Sequence, residues 1–596
     1  MSEEAKMRNL QHLRSSLVFA STLSVAGCSA FVPFVSARNA CTTTAECGAQ
    51  AECVESRCVA RQSSTWAVLS ATPASTNQQR SFAATTLPQQ ELRGSSAVDI
   101  TLARAREVRG VVRAPEGASA PLVNAVVRFV RSDAAADAPV VEQFSSASAD
   151  ESAQGFSVFL AEGQYDVFVE PRPNSSMMGA ADSLPPLVLR RALTVDFRTD
   201  PSHPQAFSIS YSGALEVSGF IVDRDAGAGV GDLLVRIVDE KGAALSTRGQ
   251  TATGSGAFRL GLALQSPDQQ WSLEISSAET TATTGSVGAS ARAVYRIERD
   301  ALVTSRVLTG LQVRIAGLNR LARTADGTCV GCVPVEASVE RAVRTVDEPA
   351  GLVASVYMHG TLTDLPPGHH AWFQSYARSD ARGAFVASVL PGDYQVSITP
   401  EDDMYALTLS TLRVATMLRG RTFSVPLKPE VRGVVRTALS TSMPMSLTEI
   451  EAIPLNEPAA AGEAPVPAAR ARSGRTDSEG EFSLRLDPGR YLIVARPSIA
   501  SGFAAALTAQ PVVVSTTTAT PPVSIVVGAP ISLRGRVLAP NRTDPVEAAS
   551  VQAFARVPYT LLSGSASRID VSVFSAETDE NGAFEVLLPA GLPQSN

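Results

Sequence analysis

The residues with most chemistry to offer are seven cysteines and five histidines. Cys28 follows Val25-Ala26-Gly27; Cys41, Cys47, Cys53 and Cys58 share one short polar stretch; Cys329 and Cys332 enclose a Val-Gly pair. Thiols can be lipidated, cross-linked or recruited as metal ligands, and compartment and spacing decide which. Two thiolates from Cys329 and Cys332 with two imidazoles from His359, His369 and His370 could hold zinc. Their separation is unlike a zinc finger, and His369-His370 reads as a loop after Pro366-Pro367-Gly368, so a local disulfide clip is expected instead. His12 lies in the N-terminal signal and His203 in a proline-rich loop. The chain has no H-E-x-x-H or H-x-x-E pair and no G-x-S-x-G elbow, so no zinc peptidase or serine hydrolase site is expected. Asp477-Ser478-Glu479-Gly480 and Asp579-Glu580-Asn581-Gly582 begin like calcium loops but lack the remaining oxygens, and read as turns between strands. No catalytic residue, cofactor or metal is assigned, and the chain is read as not an enzyme.

The compartment comes from the N-terminus. Lys6, Arg8 and Arg14 precede an uncharged stretch starting at Leu17, the pattern of an export signal. Val25-Ala26-Gly27-Cys28 resembles a bacterial lipobox, which implies cleavage before Cys28, lipidation of its thiol and a membrane anchor. Two alternatives stay open: cleavage after Val35-Ser36-Ala37, releasing a secreted protein, and an uncut span over 17–37. All three place the remainder outside the cytoplasm, where thiols oxidise. Cys41, Cys47, Cys53 and Cys58 then read as two disulfides in a segment too short for a hydrophobic core. Their spacing is loosely similar to EGF or Dickkopf-type knots. Of the three possible pairings, first-to-third with second-to-fourth is expected. Zinc held by the four thiols is the rival.

The elements that would carry any site are strands. The chain has 596 residues, with 18% charged, 44% hydrophobic, 41 Gly and 37 Pro, which suits several domains of short strands and many turns rather than long helices. A net charge of −7 with no basic stripe argues against nucleic acid. A pattern recurs along the chain, clearest as Arg432-Gly433-Val434-Val435, Asp477 to Phe482, then Pro488-Gly489-Arg490-Tyr491. The phenylalanine after the turn glycine falls at Phe156, Phe258, Phe385, Phe482 and Phe584. Gly163, Gly392, Gly489 and Gly591 each follow their module's phenylalanine at one fixed distance. Alternation at Phe482, Leu484 and Leu486, then a turn, then Tyr491 and Ile493, describes a hairpin. About seven such strands per repeat make an antiparallel β-sandwich.

These motifs, over about 107–593, are similar to the carboxypeptidase regulatory-like domain, a transthyretin-like (prealbumin-type) sandwich close to CnaB modules. The resemblance implies an all-β tandem array of transthyretin-like or Ig-like sandwiches that are structural or binding modules without activity of their own. CnaB modules often carry a Lys to Asn or Asp isopeptide bond. Here only Lys241, in a turn, and Lys428, before Pro429, lie beyond the signal, so none is expected.

The expected organisation is a signal at 1–27, a tether at 28–40, the knot at 41–58, a linker or degenerate module at 59–106, and sandwiches at 107–198, 215–310, 311–427, 430–528 and 530–596. Strand-like pieces occur in the linker at Trp66 to Leu69 and Val98 to Leu102. Module three opens at Val313-Arg314-Ile315-Ala316-Gly317. Module five reaches Gly591 and then meets Leu592-Pro593 where the return strand should begin, so it is expected to lack final strands, through truncation or for completion by a partner's strand. Five modules in series could project on the order of 200 Å. The expected function is a cell-envelope lipoprotein serving as spacer or protein-binding scaffold. Alternatives are a glycan-binding or adhesive receptor using a loop platform of Trp372, Phe373 and Tyr376, and an accessory subunit of an envelope assembly.

Overall fold

The computed structural model describes residues 38–594 apart from loop stretches, the longer being 75–80, 115–122, 133–143, 150–154, 172–183, 198–202, 264–268, 278–289, 303–307, 316–330 and 457–468. Cys28, Lys241 and Cys329 lie outside the described residues. The fold is all-β, and among the described residues no helix is long and apolar enough to cross a membrane.

Module four shows how the repeated motif folds. In Glu481–Arg485 the residues alternate exposed and buried, so Phe482 and Leu484 enter the core while Glu481, Ser483 and Arg485 face water. This strand pairs antiparallel with the opening strand Glu430–Thr437, whose other side takes Val523–Val527 in parallel. The facing sheet runs Arg472–Arg475, Glu449–Pro454, Gly489–Arg496, then Ala506–Leu507 and Val512–Val514. Gly433 sits opposite Phe482, and a Cβ there would lie 2.4 Å from the ring and 2.5 Å from the Val523 carbonyl oxygen. The motif's glycine therefore makes room for its own phenylalanine. The tyrosine closes the return turn, its hydroxyl donating to the backbone carbonyl four residues earlier: Tyr491 to Asp487 at 3.0 Å, Tyr394 to Leu390 at 2.6 Å and Tyr165 to Ala161 at 3.0 Å.

Every module repeats the three-stranded sheet, an opening strand between an antiparallel and a parallel neighbour, and this corrects two expected boundaries. Module one takes its parallel strand from Gln205–Ala206 and continues it with Ile209–Ser210, beyond 198. Leu311–Ile315, expected to open module three, instead lies parallel to Leu215–Asp223 and ends module two. Its alternating apolar residues suit either position, and pairing decides. Module three opens at Val333–Arg341, where Ala337 stands opposite Phe385 in the place of the missing glycine. The parallel neighbour Leu418–Val425 bulges at that point, stepping past Gly420 between Glu336 and Ala337.

Two further findings replace the picture of beads on a string. Ser290–Glu298 of module two pairs with His369–Arg378 of module three, so their four-stranded sheets fuse into one of eight strands over one continuous core. Module five is completed by the start of the chain. Ser64–Thr72 pairs with Ser550–Thr560, Thr85–Arg93 lies outside it, and Ile100–Thr101 runs parallel to Ile531–Leu538. These occupy the positions of the return strand, its neighbour and the parallel strand in the other modules. The expected linker at 59–106 thus supplies the missing strands of module five, at 64–72, 85–93 and 100–101, while Phe82–Ala83 pairs with module one, and the expectation of an edge left for a partner strand is overturned. The borrowed segment also meets the end of module five: the Gly591 N–H donates to the Ser64 carbonyl at 3.0 Å and the Trp66 N–H to the Leu592 carbonyl at 3.2 Å. Only Leu102 separates Ile100–Thr101 from Ala103–Gly110, the opening strand of module one. Module five therefore adjoins module one as well as module four.

Candidate functional site

The cysteine-rich segment forms where this closure begins. A short hairpin, Ala51–Val54 with Arg57–Ala60, follows one 3-10 turn at Thr44–Cys47. Cys41 is bonded to Cys53 and Cys47 to Cys58, closing loops of 12 and 11 residues. Each cross-link contributes roughly 3 kcal/mol by restricting the unfolded chain. The sulfurs of Cys41, Cys47 and Cys58 lie within 4.8 Å of one another, but all three are in disulfides and offer no thiolate to a metal.

This knot is docked on modules four and five. The Asn39 N–H donates to the Ser501 carbonyl at 2.7 Å, and its side-chain amide bridges the Gly502 and Cys58 carbonyls at 2.8 and 2.9 Å. The Ala60 N–H donates to Pro530 at 3.0 Å. Arg57 pairs with Glu585 at 2.8 Å, and Arg534 with Glu55. The Arg534 guanidinium holds the Glu55 carboxyl below the usual range for a glutamate. Leu439 and Ala529 pack against the cystines. Between knot, module four and module five lies a cleft of about 940 Å³, bordered by Gln50, Arg490, Thr508, Val526, Tyr559 and Pro593. Arg490, on the border of this cleft, donates to the Thr560 carbonyl of module five, and Arg496 donates to the Ser572 carbonyl of the same module at 2.9 Å.

The joint between modules three and four holds a second concentration of charge. Lys428, before Pro429 and not where a buried strand lysine is expected, nonetheless has a fully buried side chain. Its ammonium lies 2.7 Å from Asp403 and 3.9 Å from Asp487, while Arg470 reaches Asp487 at 2.9 Å and Arg472 pairs with Asp403. Asp487 also accepts the Leu407 N–H at 2.9 Å, tying the return turn of module four to module three. Burial lowers the Lys428 pKa, opposed by Asp487. Burial opposes ionisation of Asp487 too, but the hydrogen bonds from Arg470 and Leu407, with Lys428 nearby, outweigh it and hold the carboxyl below its ordinary value.

The remaining expected site residues do not converge. His369 and His370 lie in the strand His369–Arg378, not in a loop. His370 pairs with Glu298 at 3.0 Å and stands opposite Arg296, whereas His359 stands opposite Gln374, in a different row of the sheet. Cys332 is disulfide-bonded and supplies no thiolate. The aromatic platform is also dispersed, because alternate residues of a strand point to opposite faces. Phe373 enters the core at 1% exposure; Trp372 is 7% exposed with the Arg296 guanidinium 5.2 Å from its ring; Tyr376 alone of the three is exposed. In the Asp turns, Asp477 accepts the N–H groups of Glu479 and Glu481 at 2.9 and 2.8 Å, and Asp579 those of Asn581 and Ala583 at 2.9 and 2.8 Å. Those carboxylates cap turns.

No known protein family matches the chain, and no curated protein does. Among solved structures, a streptococcal ancillary pilin is 10% identical with a TM-score of 0.20, covering 52% of this chain and 99% of its own. The minor pilin GBS52 of Streptococcus agalactiae is 14% identical with a TM-score of 0.21, covering 33% and 96%. The Bacillus anthracis TIE protein is 10% identical with a TM-score of 0.14, covering 78% and 75%. Scores this low carry no argument about function.

Sequence reasoning missed the closure. A signal was present: module five lacks its return and parallel strands, and the supposed linker contains two spare strand-like pieces, at Trp66 to Leu69 and Val98 to Leu102.

Proposed function

We propose that this chain is a non-catalytic scaffold of the bacterial cell envelope, tethered through lipid on Cys28, whose modules form one closed array that acts by binding an envelope protein or glycan. The observation carrying this reading is the building of module five from two stretches distant in sequence, 64–101 and 531–588, which joins it to module one as well as to module four. Such shared strand pairing supports a fixed arrangement of these module surfaces over independent spacers. Asn39 is docked at Ser501 and Gly502, at the same seam.

Two experiments test the reading. Ser70 and Gln552 are directly opposed across the closing strands, and opposed residues in such a pair are near enough for a disulfide. The double variant Ser70→Cys/Gln552→Cys should cross-link within one chain on intact cells. Failure to cross-link in folded protein sinks the closed scaffold. Metabolic labelling with a clickable palmitate should mark the wild type and not Cys28→Ala; an unlabelled wild type removes the lipid tether and leaves the closed scaffold standing.

A further inference from the structure

The segment that completes module five is held to it by strand hydrogen bonds along Ser550–Thr560 and Ile531–Leu538 and by the burial of Leu69, Ala71, Ile100 and Leu102 in the shared core. Downstream it is held by continuity with module one at Leu102. Upstream it is held by the knot, which grips both modules through Asn39, Glu55, Arg57 and Ala60. The knot itself has almost no core except its sulfurs. Cys41, Cys47 and Cys58 are buried, with Ala51 the other buried apolar residue of the segment. A segment of this size with so little apolar burial does not keep a fold without cross-links. Cys53 is only half-buried, which opens the Cys41–Cys53 disulfide to a reagent before the better shielded Cys47–Cys58.

We propose that the cystine knot is a redox-released latch on the closure of module five. Intact, it pins the start of Ser64–Thr72 at the seam; reduced, it lets go of the seam and frees that strand to leave Ser550–Thr560. The reductant is a dithiol. One of its thiolates attacks the Cys53 sulfur, and the Cys41 sulfur leaves as a thiolate and takes a proton. The second thiolate of the reagent then displaces Cys53, which is protonated in turn, and the reagent departs as a cyclic disulfide. Two electrons and two protons have passed to the cysteine pair. The same exchange follows at Cys47–Cys58. The proposal does not depend on lipidation of Cys28 or on any binding partner.

The test uses the full chain with Cys329→Ser and Cys332→Ser, which confines disulfide reduction to the knot. Folded protein is treated with dithiothreitol, reduction of the four knot cysteines is verified by alkylation and mass, and amide hydrogen exchange is followed by peptide. Exchange in 64–72 and 550–560 should rise on the order of tenfold or more while 290–298 and 369–378 stay unchanged. Unchanged exchange in 64–72 after full alkylation overturns the latch, and so does an equal rise in modules two and three, which would be general unfolding. In wild-type background, Arg57→Ala/Arg534→Ala with intact disulfides should raise exchange at the same two peptides to a smaller degree. No rise there overturns the docking contacts as the means by which the latch holds.

Discussion

Asp487 shows how one residue of the repeated turn can serve two modules. Its carbonyl takes the Tyr491 hydroxyl within module four, while its carboxylate takes Arg470, lies near Lys428 and accepts the Leu407 N–H of module three. Its pKa is lowered in the folded chain, so its contribution is fully present above the unfolded value near ~3.9 and is lost as pH falls through the lower folded value. Asp487→Asn should cost about 3 kcal/mol at neutral pH by removing an anion beside the buried Lys428. Its thermal unfolding midpoint should also depend less on pH below about 4 than the wild type's. Equal acid sensitivity in the two proteins would contradict this. Gly433 makes a second case at the same scale. Gly433→Ala should destabilise module four by about 1–3 kcal/mol, read from the denaturant midpoint, because the added methyl meets the Phe482 ring and the Val523 carbonyl. Ala337→Gly should be far milder, since module three already accommodates a methyl beside a bulged neighbour.

At the scale of elements, the informative contact is between Ser290–Glu298 and His369–Arg378. It converts two sandwiches into one unit and uses residues that sequence reasoning had placed on a ligand platform. On the outer face of that junction Trp372 packs with Val294 and Tyr357 under the Arg296 guanidinium. Trp372→Ala should therefore cost about 3 kcal/mol and lower the unfolding midpoint of modules two and three together, measured by exchange in 290–298 and 369–378. A variant with wild-type stability that lost glycan binding would return the tryptophan to the ligand reading. The hairpins themselves were legible beforehand because they are local. Asp, Gly, Phe, Pro and Tyr at fixed distances build a turn and two alternating strands without reference to the rest of the chain. Leu311–Ile315 was misplaced because a short apolar strand contains nothing that names its partner.

For the whole molecule, the closing strands decide what kind of array this is. Modules one to four follow the chain in order, and module five returns to the beginning to borrow three strands. Removing residues 38–101 should leave Ser550–Thr560 without its inner neighbour and Ile531–Leu538 without its parallel partner. Such unpaired edges associate, so the shortened chain should aggregate or form higher oligomers in size-exclusion chromatography while module four stays folded. A soluble monomer with wild-type exchange in 583–588 would refute the structural role of the borrowed strands.

The amino-acid sequence by itself determined the sandwich class, the repeat, the turn chemistry and a disulfide-dependent segment, because each follows from residue types at short range. It also displayed the shortage of strands at one end and the surplus at the other. Only the tertiary structure decided that the surplus fills the shortage, that two modules share a sheet, and that Lys428 is buried at a joint. Strand pairing is made by backbone groups that are nearly identical in every residue, so long-range partners are chosen by which edges remain unsatisfied after the local hairpins have formed. That choice is made by the whole chain at once.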